Sequence, residues 1–228
     1  MLKTEVEKLK KIREVVINLG SFVTEKNEII LSALETRDVS FIQNIKLQPK
    51  RNLQASTNNL DNQIVTALSL YTPEAHDLRE LVSYLKISNE IMRVCSNSRS
   101  FIKTFIDAFR VDLELSKIYD QLIPMQTLTV AALTGAIDMI SLHTEQEVKN
   151  TFEKIYLDEN KTDKIYQKIE KEIIALTTQQ PELSLEYLEV LSAVRRIEKI
   201  ADRALSIASL VYYAKIGGEI SQEIEINA

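Results

Sequence analysis

The stretch PELSLEYLEVLSAVRRIEKIADRALSIASLVYYAKIGG, residues 181–218, decides the fold. It opens on Pro and closes on two glycines. Pro suits a first helical turn because its missing N–H has no partner there anyway, and Gly accepts the left-handed backbone that ends a helix. Between them Leu191, Glu198, Leu205 and Tyr212 recur at heptad spacing, flanked by Val194, Ala201 and Ala208. This pattern predicts one amphipathic helix over residues 181–215. Glu198 breaks the stripe at a core-type position, and Asp202, one turn later, lies on the same side.

Working outward, residues 145–177 repeat the design: Phe152, Glu159, Tyr166 and Ile173 form the series, with Asp163 one turn after Glu159. A shorter helix is expected from Pro124 to residue 142, after a charged connector at 112–119. The first half reads the same way. Leu9, Ile12, Val16, Leu19 and Ala33 predict a helix over 2–35, broken at Thr36 and Arg37 with Asp38 as the next cap. A second run, 38–71, is expected to kink at Pro49, and a third, 72–111, to open on Thr72, Pro73 and Glu74. The expectation is an all-α fold of two tandem three-helix bundles, six long antiparallel helices in all. The bundles occupy 1–111 and 120–218, and 219–228 form a frayed acidic tail.

Composition excludes several alternatives. Only 4 Gly and 4 Pro in 228 residues, with no Trp, leave too little turn-forming material for a sandwich or barrel. Lys, Glu, Asp or Ser interrupts every apolar run, so none is expected to reach the roughly 18 residues of a spanning helix. The N-terminal MLKTEVEKLKKIREVV lacks the apolar core of a signal peptide, which reads as cytoplasmic. One cysteine, Cys95, makes no intrachain disulfide, and His76 and His143 are too few for zinc cages. With 28 basic against 33 acidic residues, no nucleic-acid partner is expected.

The halves align internally. Laying Leu85 on Leu191 carries Met92 onto Glu198, Arg93 onto Lys199 and Ser96 onto Asp202; a second register carries Thr57 onto Glu159 and Asp61 onto Asp163. Acid pairs therefore interrupt matching places in two adjacent helices of the second half. One pair alone reads as a wet helix face, or as acids neutralised by Lys199, Arg195 or Arg203. Two pairs that meet are costly without a cation, and hard oxygens without His or Cys suit magnesium, manganese, calcium or iron.

At these residues the sequence resembles the PhoU family, bacterial phosphate-signalling proteins built from two repeated three-helix bundles. The resemblance is carried by ALETRDV at 33–39, LDNQI at 60–64, PEAHDLRELVSYLKISNEIMRV at 73–94, DENKTDKIY at 158–166, and RRIEKIADRALSIAS at 195–209 with YYAKIGGE at 212–219. It implies a metal site of Glu159, Asp163, Glu198 and Asp202 in the second bundle only, taking a divalent or trivalent ion (iron, manganese or magnesium). In the first bundle only Asp61 remains of the corresponding set, a vestige. Asp77, Arg79 and Arg93 are implied as partner contacts, although Asp77 and Arg79 read equally well as local helix supports. The resemblance further implies a non-enzymatic cytoplasmic negative regulator, an adaptor between the phosphate-specific ABC transporter and its sensor histidine kinase. It would reach the inner face of the membrane only through those partners, with a homodimer as a further expectation. The alternatives are an accessory subunit of a secondary phosphate permease and, behind it, a carboxylate-bridged metal-binding or oxidase bundle. The last lacks its Glu-x-x-His pairs, since Pro73 and Ile140 stand three residues before the histidines.

Overall fold

The computed structural model describes residues 3–45, 50–108 and 113–218. Among these there are seven α-helices and no strand: α1 Lys3–Glu35, α2 Val39–Gln43, α3 Lys50–Leu70, α4 Ala75–Ala108, α5 Ser116–Asp138, α6 Glu145–Gln179 and α7 Ser184–Lys215. Short 3₁₀ turns at Met139–Ser141 and Pro181–Leu183 extend α5 and lead into α7. One three-helix bundle comprises α1, α3 and α4, with α2 as an approach to α3; the other comprises α5, α6 and α7. The kink expected at Pro49 and the acidic tail at 219–228 lie outside the described residues.

Several helix ends follow local chemistry. The Asp38 carboxylate accepts the Ser40 N–H at 2.8 Å and caps α2. Thr144 and Glu147 form a reciprocal capping box at the start of α6. Gly217 and Gly218 stand at φ 80° and 77° beyond α7, as a glycine stop requires.

Four expectations fail. The second run is not one long helix: α2 ends at Gln43 with Asn44 as its C-cap, and α3 begins at Lys50, so there are seven helices among the described residues and not six. Helix α4 begins at Ala75, so Thr72 and Pro73 precede it instead of capping it. Pro124 lies inside α5, which starts at Ser116 within the expected connector. Leu115, Ile118 and Tyr119 are buried there, and that burial offsets the one backbone hydrogen bond that proline forfeits. Finally, Ser116–Ser141 is apolar and long enough to cross a bilayer by length and composition, contrary to the reading that every apolar run is interrupted. Half of its apolar window is buried inside the protein, and a core helix meets the same test.

The bundles lie side by side, α4 along α7 and α1 along α5. Their cores do not divide at the repeat boundary. One cluster joins Ile12, Val16, Leu60 and Ile91 to Ile140, Phe152 and Val211; the other joins Leu34, Phe101 and Phe105 to Leu122, Ile169 and Tyr187. A buried polar layer connects α1, α4 and α5. The Ser98 hydroxyl donates to Asn27 Oδ1 at 3.1 Å, and Gln126 Nε2 donates to the Asn27 carbonyl at 3.0 Å. At Gly20 the backbones of α1 and α5 approach so closely that a Cβ would meet Ile137 Cγ1 at 2.7 Å. This side-by-side packing leaves the α6–α7 face of the second bundle free to carry a site.

Candidate metal centre

Helix α7 turns its small and branched residues inward: Val194, Ile197, Ala201, Ala204 and Ala208 are fully buried. Leu191, Glu198 and Leu205 of the heptad series form the edge of that face, while Tyr212 is buried. Glu198 accordingly sits half-buried at the rim and not at the centre of the stripe. Helix α6 is held by buried Phe152, Ile155, Ile169 and Ile173, which leave Glu159 and Asp163 partly buried toward α7.

The structure brings three of the four expected acids together and leaves Glu198 outside that group. Glu159, Asp163 and Asp202 each offer a carboxylate oxygen, and these oxygens lie within 4.8 Å of one another. Glu198 adjoins them through Lys199, whose Nζ is 3.0 Å from Glu198 Oε1 and 2.8 Å from Asp202 Oδ2. One lysine cannot neutralise four carboxylates. Asp163 Oδ1 and Glu198 Oε2 are buried and accept no hydrogen bond. Burial, then Asp163, Asp202 and Glu198, push the Glu159 carboxyl up to about 7, a rise that Lys199 partly relieves. The Asp163 and Glu198 carboxyls are also raised, chiefly by burial, with Asp202 adding to the rise and Lys199 opposing it. The Lys199 ammonium is raised, first by its hydrogen bond to Asp202.

Two orphaned buried carboxylate oxygens among crowded acids form an all-oxygen donor set that fits a hard cation. The corresponding surface of the first bundle is different. Thr57 is buried and donates to its own helix at Gln54, Met92 is buried, and Asp61 accepts the Ser88 hydroxyl at 2.8 Å. Asp61 belongs to no group of three or more potential metal ligands among the described residues.

A second acid-rich group, His76, Asp77 and Glu80, lies at the start of α4, where sequence reasoning missed it. Its buried member, Glu80, is already claimed. Arg13 of α1 donates to both its oxygens at 3.0 and 2.7 Å, and Lys215 of α7 approaches at 3.5 Å. Burial lowers the Lys215 ammonium although Glu80 opposes this. These partners come from distant helices, so no local motif announces them.

Asp77 stands in the first turn of α4 beside His76, at 3.6 Å. The Arg79 guanidinium faces Gly217 beyond α7. Arg93 is the exposed one of the three, its side chain 58% accessible and 3.8 Å from Glu90. Of the basic residues along α7, Lys199 and Arg203 do neutralise acids, the latter reaching Glu90 of α4 at 3.2 Å.

The sequence profile of the PhoU domain matches the chain twice, at residues 16–104 and 122–211. The phosphate-specific transport system accessory protein PhoU of Serratia marcescens is 22% identical over 213 residues, covering 93% of this chain and 84% of that protein. A PhoU homolog of Borreliella burgdorferi is 21% identical, covering 84% and 85%. Among solved structures, PhoU from Pseudomonas aeruginosa superposes with a TM-score of 0.81 at 20% identity, covering 93% of this chain and 99% of that one. The phosphate transport system regulatory protein PhoU from Streptococcus pneumoniae superposes at 0.76 with 20% identity, covering 94% and 98%. With both repeats matched, the chain belongs to the PhoU family, the non-enzymatic accessory and regulatory proteins of phosphate-specific transport.

Proposed function

We propose that this protein is a cytoplasmic negative regulator of phosphate uptake and phosphate-starvation signalling, an adaptor between a phosphate-specific ABC transporter and its sensor histidine kinase. The observation that carries this reading is the doubled PhoU match over almost the whole chain, on a helical scaffold whose long exposed faces suit docking better than catalysis. The units that act are residues 1–111 and 120–218, packed side by side, with Arg93, and secondarily Asp77 and Arg79, on the partner-facing surface. In the second unit Glu159, Asp163 and Asp202, with Glu198, hold a divalent or trivalent cation; iron, manganese and magnesium all match the donor set. When bound, that ion supplies the positive charge the cluster lacks and braces α6 against α7.

Deleting the gene tests the regulatory reading. In phosphate-rich medium the deletion strain is expected to take up excess phosphate and to express starvation genes that the parent keeps silent. Unchanged uptake together with unchanged expression contradicts it.

A further inference from the structure

We infer that Lys199 is a tethered cation that occupies the carboxylate cluster until a metal ion displaces it. The inference rests on the metal-site reading above. Its own basis is where the lysine sits. The ammonium spans one oxygen of Glu198 and one of Asp202, at 3.0 and 2.8 Å, and both residues belong to the proposed ligand set. A second cation brought to these carboxylates meets the charge of the first, and by linkage each weakens the binding of the other.

The first bundle supplies an independent comparison. Arg93 occupies the place of Lys199, but Met92 and Ser96 replace the flanking acids. Arg93 there is largely exposed and only approaches Glu90 at 3.8 Å. A cation reaches inward at this position only in the repeat that retains the acids.

Lys199 can also leave. Its side chain is 35% exposed, and a flexible four-carbon stem lets a strongly hydrated ammonium swing into solvent. As a stand-in it is incomplete, because Asp163 Oδ1 and Glu198 Oε2 stay unpartnered with Lys199 in place. A metal ion gathered by Glu159, Asp163 and Asp202 therefore prevails. Lys199 keeps the metal-free protein from holding four bare acids, and metal binding transfers its charge to the exposed α6–α7 face. Occupancy of the centre is thereby written onto the surface.

Two measurements on the full chain test this. Mn²⁺ affinity of the wild type and of Lys199→Gln is compared by calorimetry after chelator treatment. Removing the competitor is expected to tighten binding about tenfold, the scale of a partly exposed pair of charge-assisted hydrogen bonds. In parallel, amine acylation of the unaltered protein is mapped by mass spectrometry with and without Mn²⁺. Lys199 labelling is expected to rise severalfold on metal addition, while the exposed Lys10 and Lys117 stay constant as internal references. Equal Mn²⁺ affinity in both proteins, or Lys199 labelling indifferent to Mn²⁺, overturns the displacement while leaving the metal site standing. A wild type that binds no Mn²⁺, Fe²⁺ or Mg²⁺ overturns both.

Discussion

Replacing Glu159 by Gln removes one negative charge from the cluster while keeping shape and hydrogen-bonding capacity. The Glu159 carboxyl rises from 4.5 to about 7 in the folded protein because it is partly buried and faces Asp163, Asp202 and Glu198. A raised folded-state pKa means that between these two values the native state holds a proton the unfolded chain has released. Stability therefore falls as pH climbs through that window and is restored as pH falls below it. At 1.36 kcal/mol per pH unit the full rise corresponds to roughly 3.4 kcal/mol, and solvent screening at this half-open site reduces it to roughly 1 to 2. For a chain of this length that is a melting shift of roughly 3 to 6 °C. The assay is thermal unfolding of the chelator-treated wild type and of Glu159→Gln at pH 5 and pH 8. The variant is expected to come close to the wild type at pH 5, near the lower end of the window, and to exceed it clearly at pH 8, since slopes common to both cancel in the comparison. Equal pH dependence in the two proteins, or a variant less stable at pH 8, would refute the reasoning that these acids crowd one another.

Two other substitutions, with Gly135→Ala as a comparison, probe how the repeats are joined. Gly20→Ala gains helix propensity of about 1 kcal/mol but drives a Cβ into Ile137 at the α1–α5 crossing, a clash that costs about 1 to 3. Net destabilisation is expected by thermal melt, whereas Gly135→Ala, with Ile155 side-chain carbons at 3.3 Å, is expected to be near neutral. Glu80→Gln leaves the cations Arg13 and Lys215 without their shared counter-ion. With Glu80 buried and Arg13 partly exposed, the expected loss is about 2 to 4 kcal/mol in urea unfolding at unchanged slope. A loss under about 1 would show that the triad does not join α1, α4 and α7.

The sequence conveyed the two longest second-half helices, the cap at Asp38 and the glycine stops, because each depends on residues within a turn or two of one another. It misplaced the start of α5. The signal there was nonlocal: Leu115, Ile118 and Tyr119 bury against other helices, and that packing carries the chain past Pro124. The acid pairs were legible because a carboxylate interrupting an apolar heptad is visible in one dimension, and two such interruptions suggest where neighbouring helices meet. Glu80, Arg13 and Lys215 were not legible, since nothing in their own segments marks them as partners. The Asn27–Ser98–Gln126 layer escaped for the same reason. Nor could periodicity show that Glu198 sits at the rim of the stripe, because that depends on which side of α7 meets α4 and α6.

The most direct test of a cation centre confined to the second repeat is metal analysis after Mn²⁺ loading and gel filtration of the wild type, Asp163→Asn and Asp61→Asn. The wild type and Asp61→Asn should retain equal metal and Asp163→Asn almost none. Loss of metal from Asp61→Asn, or full retention by Asp163→Asn, would contradict the assignment.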